Sequence, residues 1–208
     1  MAVTHSAIAD ANKHQPKGVA DAEDFTVYRA DGAGSGSWSR PLSLLWNGQE
    51  ASHSSTDYEI TGLTGYQTLF LVLPIFYSNA DVGVILQIDN SGTYRTSGYE
   101  NAYVDNFGGT TDNYSSGFYL AEGRNNSRDY MMGVWRLDNC NGGIVTCTGI
   151  AGWLDFNYLT SSTLSSSEAM DSSFGRQTSA STVTKIKLIE NGGSFSPGYR
   201  YVQVYGIR

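Results

Sequence analysis

The chain has 208 residues, a formal net charge of −7 at pH 7, and only 16% charged side chains against 40% hydrophobic ones. That length suits one sizeable domain and leaves too little chain for two comfortable ones. Because the chain is acidic and has no cluster of lysines and arginines, we expect neither nucleic acid nor an anionic membrane as a partner.

The first 40 residues differ in composition from the rest and predict an extended N-terminal arm. They contain little that can bury a hydrophobic face, apart from a short predicted strand over Phe25–Tyr28. Residues 30–37 are rich in glycine and serine and predict a turn-rich connector. A segment too polar to build its own core becomes ordered only when a partner orders it. We therefore expect residues 1–40 to fasten the protein to something larger.

The sequence predicts no export signal and no membrane span. Residues 1–5 have neither the basic nor the apolar character of a signal peptide. The longest apolar run, Leu69–Phe76, is far shorter than the roughly 20 residues that a membrane-spanning helix needs.

Beyond Pro41, aromatic and β-branched residues alternate with uncharged polar ones, and turn-forming clusters separate the runs. The pattern predicts an all-β domain over residues 41–208, a jelly-roll-like β-sandwich that follows the arm. The predicted strands are Leu42–Trp46, Thr56–Ile60, Gln67–Tyr77, Val82–Asp89, Thr93–Thr96, Tyr99–Val104, Gly117–Ala121, Tyr130–Leu137, Gly143–Thr148, Ala151–Tyr158, Phe174–Thr178, Val183–Glu190 and Tyr199–Ile207.

Two features of these strands carry finer predictions. Leu69–Phe76 and Val82–Leu86 are nearly continuous apolar runs, which predicts that both strands are buried on both faces. Strict alternation marks the last two strands, in which Ile186 and Leu188, then Val202 and Val204, take one face. Since a short glycine-bearing segment joins them, we predict that these two strands pair as a hairpin.

The two cysteines, Cys140 and Cys147, allow two interpretations. Asn141-Gly142 favours a tight turn that would bring them together in a small loop-closing disulfide. The alternative is a pair of reduced thiols, the usual state in a cytosolic product. Two thiolates without a neighbouring histidine supply too few ligands for a metal ion, so no metal site is predicted.

No recognisable catalytic arrangement is present, and we expect no enzymatic activity and no cofactor. The histidines are His5, His14 and His53, and none lies in a nucleophile motif. A glycan depolymerase needs two carboxylates roughly 5–10 Å apart, a separation that scattered glutamates in a sequence do not establish.

Two ligand classes remain as alternatives to a purely structural reading. Asp105-Asn106, Asp112-Asn113 and Asp138-Asn139 lie in glycine-bearing loops that suit calcium ligands, although Asp and Asn also populate turns for backbone reasons alone. Aromatic residues would suit stacking on sugar rings, although tyrosines are equally at home on strands and at subunit contacts. The aromatic candidates are Tyr94, Tyr99, Tyr103, Tyr114, Tyr119 and Trp135.

Three runs near the N-terminus carry a resemblance to a known class of proteins. They are Lys13-His14-Gln15-Pro16-Lys17-Gly18-Val19, Thr26-Val27-Tyr28, and Asp31-Gly32-Ala33-Gly34-Ser35-Gly36-Ser37-Trp38. In this order they resemble an N-terminal module of tailed-bacteriophage virion proteins, namely head-decoration, head-fibre and, less often, tail-fibre proteins. The closing stretch from Asn191 to Arg208, with its Tyr-Gly-Ile motif, is similar to the last strand of β-sandwich heads in such proteins.

The resemblance implies a capsid- or tail-mounted module, commonly trimeric, with the N-terminal segment as the anchor and the sandwich facing outward. It places His14, Pro16, Lys17 and Gly18 at or near the attachment surface. The expected location is the virion, after synthesis in the bacterial cytoplasm, and the expected partners are capsid or other virion proteins and further copies of the chain. Because the chain has no shaft repeats, capsid decoration or a head fibre ranks first. A tail-fibre module that binds a host receptor or surface glycan is the alternative.

Overall fold

The computed structural model of the protein describes residues 26–30, 36–50, 57–77, 83–104, 116–121, 129–155, 170–190 and 200–208. The chain forms two compact units, residues 1–43 and residues 44–208. In the first unit, β1 (Val27–Ala30) and β2 (Gly36–Ser39) form an antiparallel two-stranded sheet, with Val27 opposite Ser39. The predicted flexible or turn-rich connector over residues 30–37 is therefore wrong at Ala30, which belongs to β1, and at residues 36–37, which belong to β2, so that only residues 31–35 separate the two strands.

Strands make up the rest of the described chain, in which no helix occurs, and the predicted all-β class is confirmed. The strands are β3 (Ser43–Glu50), β4 (Asp57–Thr61), β5 (Thr68–Tyr77), β6 (Val84–Asn90), β7 (Thr93–Tyr94), β8 (Tyr99–Val104), β9 (Phe118–Ala121), β10 (Asp129–Asp138), β11 (Asn141–Gly143), β12 (Thr146–Asp155), β13 (Met170–Gln177), β14 (Ser181–Thr182), β15 (Lys185–Glu190) and β16 (Arg200–Ile207).

Two antiparallel sheets form the layers of a jelly-roll-like sandwich. The larger sheet has seven strands in the order β3-β16-β5-β10-β12-β13-β8. The smaller has five, in the order β4-β15-β6-β7, with β9 also paired to β6. The inward side chains of both sheets make one continuous apolar core, which includes Leu71 and Trp135 from the larger sheet and Ile60, Leu86 and Ile186 from the smaller.

Trp135 on β10 is the largest side chain in this core and is fully buried. Its indole lies against the inner side of its own sheet, over two positions that have no side chain, Gly133 and Gly149. A Cβ atom on Gly149 would lie 2.1 Å from Cδ1 of the indole. The ring nitrogen Nε1 donates a hydrogen bond of 3.1 Å to Oγ of Ser173, so the buried polar end of the indole is satisfied.

The glycine at position 149 explains one wrong strand prediction. The sequence predicted separate strands over Gly143–Thr148 and Ala151–Tyr158, whereas the structure has one strand, β12, running through both. Glycine within a strand often marks an interruption, but it also occurs where another group approaches the backbone closely. Here that group is Trp135, which pairs directly with Gly149 across the two strands.

The predicted hairpin of the last two strands is also wrong. β15 pairs with β4 and β6 in the smaller sheet, whereas β16 pairs with β5 in the larger one, so the chain crosses between the layers after Glu190. The predicted alternation itself is confirmed, since Ile186, Leu188, Val202 and Val204 are all buried. Period-two alternation identifies the buried face of a strand but not its hydrogen-bonding neighbour, which is why the pairing failed.

Of the two strands predicted to be buried on both faces, one is and one is not. Every residue of β6 from Val84 to Asp89 is buried, and Ile85 on its outer side packs with Tyr103 and Tyr119. β5 instead alternates, with Leu69, Leu71 and Leu73 in the core and Ile75 37% exposed on the other side. An apolar run shows that a strand can be covered twice, but the neighbouring elements decide whether it is.

Asp89 at the end of β6 ties a turn to the neighbouring strand. Its buried carboxylate accepts hydrogen bonds from the backbone N–H of Gly92 (2.6 Å), Thr184 (2.7 Å) and Lys185 (2.9 Å), and from the hydroxyl of Thr184 (2.6 Å). These four hydrogen bonds satisfy both oxygens of the buried side chain. Asp89 therefore holds the β6–β7 turn to the start of β15.

Replacing Gly149 by alanine should lower the free energy of unfolding by about 2 kcal/mol, because the new methyl group overlaps the buried indole of Trp135. Gly152→Ala on the same strand is the matched control, since a Cβ there meets nothing within 4 Å. We expect that control to be neutral or slightly stabilising. Urea denaturation measures both, and equal effects of the two substitutions would contradict the packing described.

Asp89→Asn should destabilise the protein by about 3 kcal/mol, because one charged acceptor is lost and buried N–H groups lose their partner. Asp57→Asn is the control, since Asp57 makes a partly exposed ion pair with Lys187 and should cost less than about 1 kcal/mol. Thermal and urea unfolding would measure the difference, and a cost for Asp89→Asn no larger than the control's would refute the assigned role.

Candidate interaction surface

The outward side chains of the seven-stranded sheet form a continuous surface, which we call the outer face. Because neighbouring strands are in register, these side chains stand in rows that cross the sheet. One row runs through Tyr205, Phe70, Arg136, Thr148, Phe174 and Ala102, and the next through Gln203, Val72, Val134, Ile150, Ser172 and Val104.

The centre of the outer face is apolar and open to solvent. Val134 is 40% exposed, Ile150 49%, Phe174 51% and Val104 57%. A shallow depression with a volume of about 390 Å³ lies at Val134 and Ile150, and its lining also includes Phe70, Arg136 and Thr148. Contiguous exposed apolar surface of this kind marks interaction sites in folded proteins, because a single chain gains no free energy from leaving apolar side chains in water.

The charged side chains on the outer face form ion pairs with one another. Nε of Arg136 lies 2.9 Å from Oδ2 of Asp138, and Nε of Arg176 lies 2.5 Å from Oε2 of Glu100. The two pairs are solvent-exposed and contribute little to stability. Because opposite charges pair in this way, the described residues of the outer face carry no net charge, although the whole chain carries a net charge of −7.

The opposite surface of the sandwich, formed by the five-stranded sheet, has a different character. Lys185 and Lys187 on β15 face Glu59 and Asp57 on β4, at 3.8 Å and 3.3 Å. The two ammonium nitrogens lie 4.4 Å and 4.6 Å from the ring centroid of Tyr94. Burial and a hydrogen bond to Glu59 raise the pKa of the Tyr94 phenol, so it stays protonated. The charges on this surface are therefore paired, and the surface is polar.

The aromatic residues predicted to stack on sugars are not placed to do so. Tyr99, Tyr103, Tyr119 and Trp135 are at most 4% exposed and belong to the interior. Tyr103 and Tyr119 meet edge to face with centroids 5.0 Å apart, and the Tyr99 hydroxyl accepts a hydrogen bond of 3.0 Å from the N–H of Ile88. Tyr94 lies beneath two lysines, and Tyr114 lies outside the described residues. The predicted platform is therefore wrong for the described aromatics.

The predicted calcium loops can be followed at one position. Asp138 accepts hydrogen bonds from Thr68 and Arg136, and Asn139 bonds to Gln67 and to the carbonyl of Ile144. Both residues therefore serve the turn, as the alternative interpretation holds. Residues 105–106 and 112–113 lie outside the described part of the chain. Within that part, no group of three or more histidine, cysteine, aspartate or glutamate side chains is close enough to hold a metal ion.

Both cysteines are buried in the core as free thiols and do not form a disulfide with each other. Burial is the main reason that the pKa of Cys140 rises to about 12, and it raises the pKa of Cys147 as well. Since the thiolate is the nucleophile, neither cysteine is suited to covalent chemistry at neutral pH.

The attachment residues predicted from the sequence, His14, Pro16, Lys17 and Gly18, are outside the described residues, and their role stays a prediction. His5 and His53 are outside the described residues as well. The outer face was not predicted as a site. The available signal was the unbroken apolar run from Met131 to Trp135, in which both alternating sets are apolar, so one of them must face outward.

Strand direction gives the sandwich two different ends. The registers place the last residues of β5, β8 and β12 beside the first residues of β10, β13 and β16. The last residues of β9 and β15 similarly lie beside the first residues of β6. Residues 78–82, 122–128, 156–169 and 191–199 join these strand ends, and residues 105–115 follow the last residue of β8. These segments lie outside the described residues and are rich in serine, asparagine and glycine, with tyrosines interspersed.

Comparison of the chain with protein-family models and with curated proteins finds no match. The resemblance to phage virion proteins therefore rests on the N-terminal and C-terminal motifs alone. Among the described residues, no helix has the length and apolar character needed to cross a bilayer.

Alkaline pH should destabilise the fold through its buried acids. The Cys140 thiol has an ordinary pKa of 9.0 and a folded pKa of about 12, so the folded state binds the proton more tightly. Stability is thus fully present below pH 9 and falls between pH 9 and about pH 12. Urea midpoints across this range should fall less steeply for Cys140→Ala. In the native protein at pH 8, neither thiol should react with maleimide; rapid labelling there would contradict the burial.

Proposed function

We propose that this protein is a non-catalytic structural component of a bacteriophage virion, a capsid decoration or head-fibre protein. Residues 1–40 dock it on the particle, and the β-sandwich is displayed outward. The ordered series of motifs over residues 13–38 supports this assignment, together with the Tyr-Gly-Ile motif at residues 205–207. The expected partners are capsid or other virion proteins and two further copies of the chain, since the proteins that it resembles are commonly trimeric.

The observation that carries the proposal is the division of strands between the two units. β1 and β2 form a sheet of their own, whereas the seven-stranded and five-stranded sheets are built from β3 onward. The described core residues lie between residues 45 and 204, and β1 and β2 pair with each other. This division supports a separate role for the leading segment, namely binding another protein.

A receptor-binding role is the second candidate, and one observation favours it. Four connecting segments join strand ends at the same end of the sandwich, and a fifth, residues 105–115, follows the last residue of β8 there. Their serine, asparagine, glycine and tyrosine content matches that of loops which recognise varied ligands by adaptable hydrogen bonds and rigid aromatic contacts. A host surface glycan is the ligand class that such a module on a tail fibre would bind.

Deleting residues 2–24 should leave the sandwich folded but remove the protein from the particle, because the predicted anchor is lost. Phage propagated with the truncated gene should contain normal capsids that lack this protein on immunoblots. Circular dichroism and the thermal midpoint of the purified variant provide the control for folding. Normal incorporation of the truncated protein would argue directly against docking through the arm.

Immunogold labelling of intact virions distinguishes the two proposed locations. The gold should decorate the head if the protein is a capsid accessory, and the tail tip if it is a receptor-binding module. A glycan array with the full-length protein tests the ligand class, and reproducible binding to one glycan family together with tail labelling would favour the receptor-binding role.

A further inference from the structure

We propose that a second copy of this chain packs on the outer face, so that two seven-stranded sheets meet sheet against sheet. This inference goes beyond the proposed function, because it does not depend on where the protein is mounted and it names a two-fold pair of chains where the resemblance implies a trimer. It assigns a surface to self-association and names the residues at its centre, Val134, Ile150 and Phe174.

The first argument is the contrast between the two sides of one domain. The outward side of the five-stranded sheet carries partly buried lysines that are paired with carboxylates, whereas the outer face shows valine, isoleucine and phenylalanine side chains that are 40–51% exposed. Aligned face-to-face packing of two sheets buries alternate side chains of this kind in a layer about 10 Å thick. The outer face therefore has the composition of an inner sheet surface that lacks its partner layer.

The second argument is area. Seven strands spaced ~4.8 Å apart make a sheet ~29 Å wide, and strands of about nine residues make it ~30 Å long. The footprint is on the order of 900 Å², close to the ~800 Å² that each partner contributes to an interface of standard size. One copy of the same face is thus large enough to cover the apolar centre.

The third argument is charge. Two copies of a chain with a net charge of −7 repel each other unless they meet on a surface without excess negative charge. The outer face meets that condition, since Arg136 pairs with Asp138 and Arg176 with Glu100. Both pairs keep at least one partly exposed member, so they do not have to be broken when the apolar centre is covered.

The shape of the face suits a two-fold arrangement. Phe174 on β13 is 51% exposed, and the depression bordered by Phe70, Val134 and Ile150 lies on the adjacent strands β5, β10 and β12. In a two-fold interface each contact occurs twice. Phe174 of each copy then enters the depression of the other, and Ile150 lies close to the symmetry axis.

Sedimentation equilibrium of the full-length protein tests the proposal with a matched pair of substitutions. Ile150 and Ile144 are both 49% exposed, but Ile150 lies at the centre of the outer face and Ile144 in the turn before β12. Ile150→Thr should weaken self-association at least tenfold, because each interface loses apolar contact twice. Ile144→Thr should leave it within twofold of the unsubstituted protein, and thermal midpoints of both variants check their folding.

Thiol labelling gives an independent readout in the full-length chain. The native cysteines are buried, so an introduced cysteine reports on its own position. Ile150→Cys should react with maleimide at low protein concentration and become protected as the concentration rises, whereas Ile144→Cys should react equally at both.

Three outcomes would overturn the proposal. The first is no self-association anywhere in the micromolar range, and the second is equal association of the two threonine variants. The third is protection of Ile150→Cys at every concentration in a monomer, which would show that the chain itself covers the face. None of these outcomes bears on virion incorporation, which the arm deletion tests separately.

Discussion

The pairing of Trp135 with Gly149 decides which side chains this protein shows to its surroundings. Successive residues of a strand point to opposite sides, so a shift of one residue would exchange the two faces of the sheet. The indole fits on the inner side only where Gly133 and Gly149 leave space beneath it. With Trp135 held inside, Val134 and Arg136 must point outward, and so must Thr148 and Ile150 on the paired strand.

The same constraint links the core to the proposed interface. Strands β5, β10 and β12 are apolar on both sides, so fixing their inner side necessarily creates an exposed apolar surface. The smaller sheet solves the corresponding problem differently. On β6 the second apolar side is covered within the chain by Tyr119, and on β15 it is occupied by lysines paired with carboxylates. Only the larger sheet has, among its described residues, an apolar face of this extent that the sandwich itself leaves open.

Sequence patterns predicted the local structure well and the pairing poorly. β8 was predicted with its observed bounds, and the buried faces of β15 and β16 were identified, because alternation records which side meets the core. The partner of each strand was not predictable, since β15 and β16 are consecutive in the chain yet belong to different layers. The predicted strands stopped at Thr148 and resumed at Ala151, because the sequence alone does not show that Trp135, on another strand, requires a glycine at position 149. Predicting the outer face would have required the order and register of all seven strands of the larger sheet.

The functional proposal rests on a different part of the chain from the interface. The motifs over residues 13–38 support the proposed virion role, while the residues of the outer-face rows lie between Phe70 and Tyr205. A protein mounted by one segment and assembled through another separates attachment from oligomerisation, so each can be changed without the other.

The most direct measurement of the central claim is a cryo-electron-microscopy reconstruction of the full-length protein in its assembled form. The account predicts that the outer faces of two copies meet, with Val134, Ile150 and Phe174 of each copy in contact with the other. A reconstruction in which these three side chains face solvent, while the copies touch through the charged surface of the smaller sheet, would contradict it.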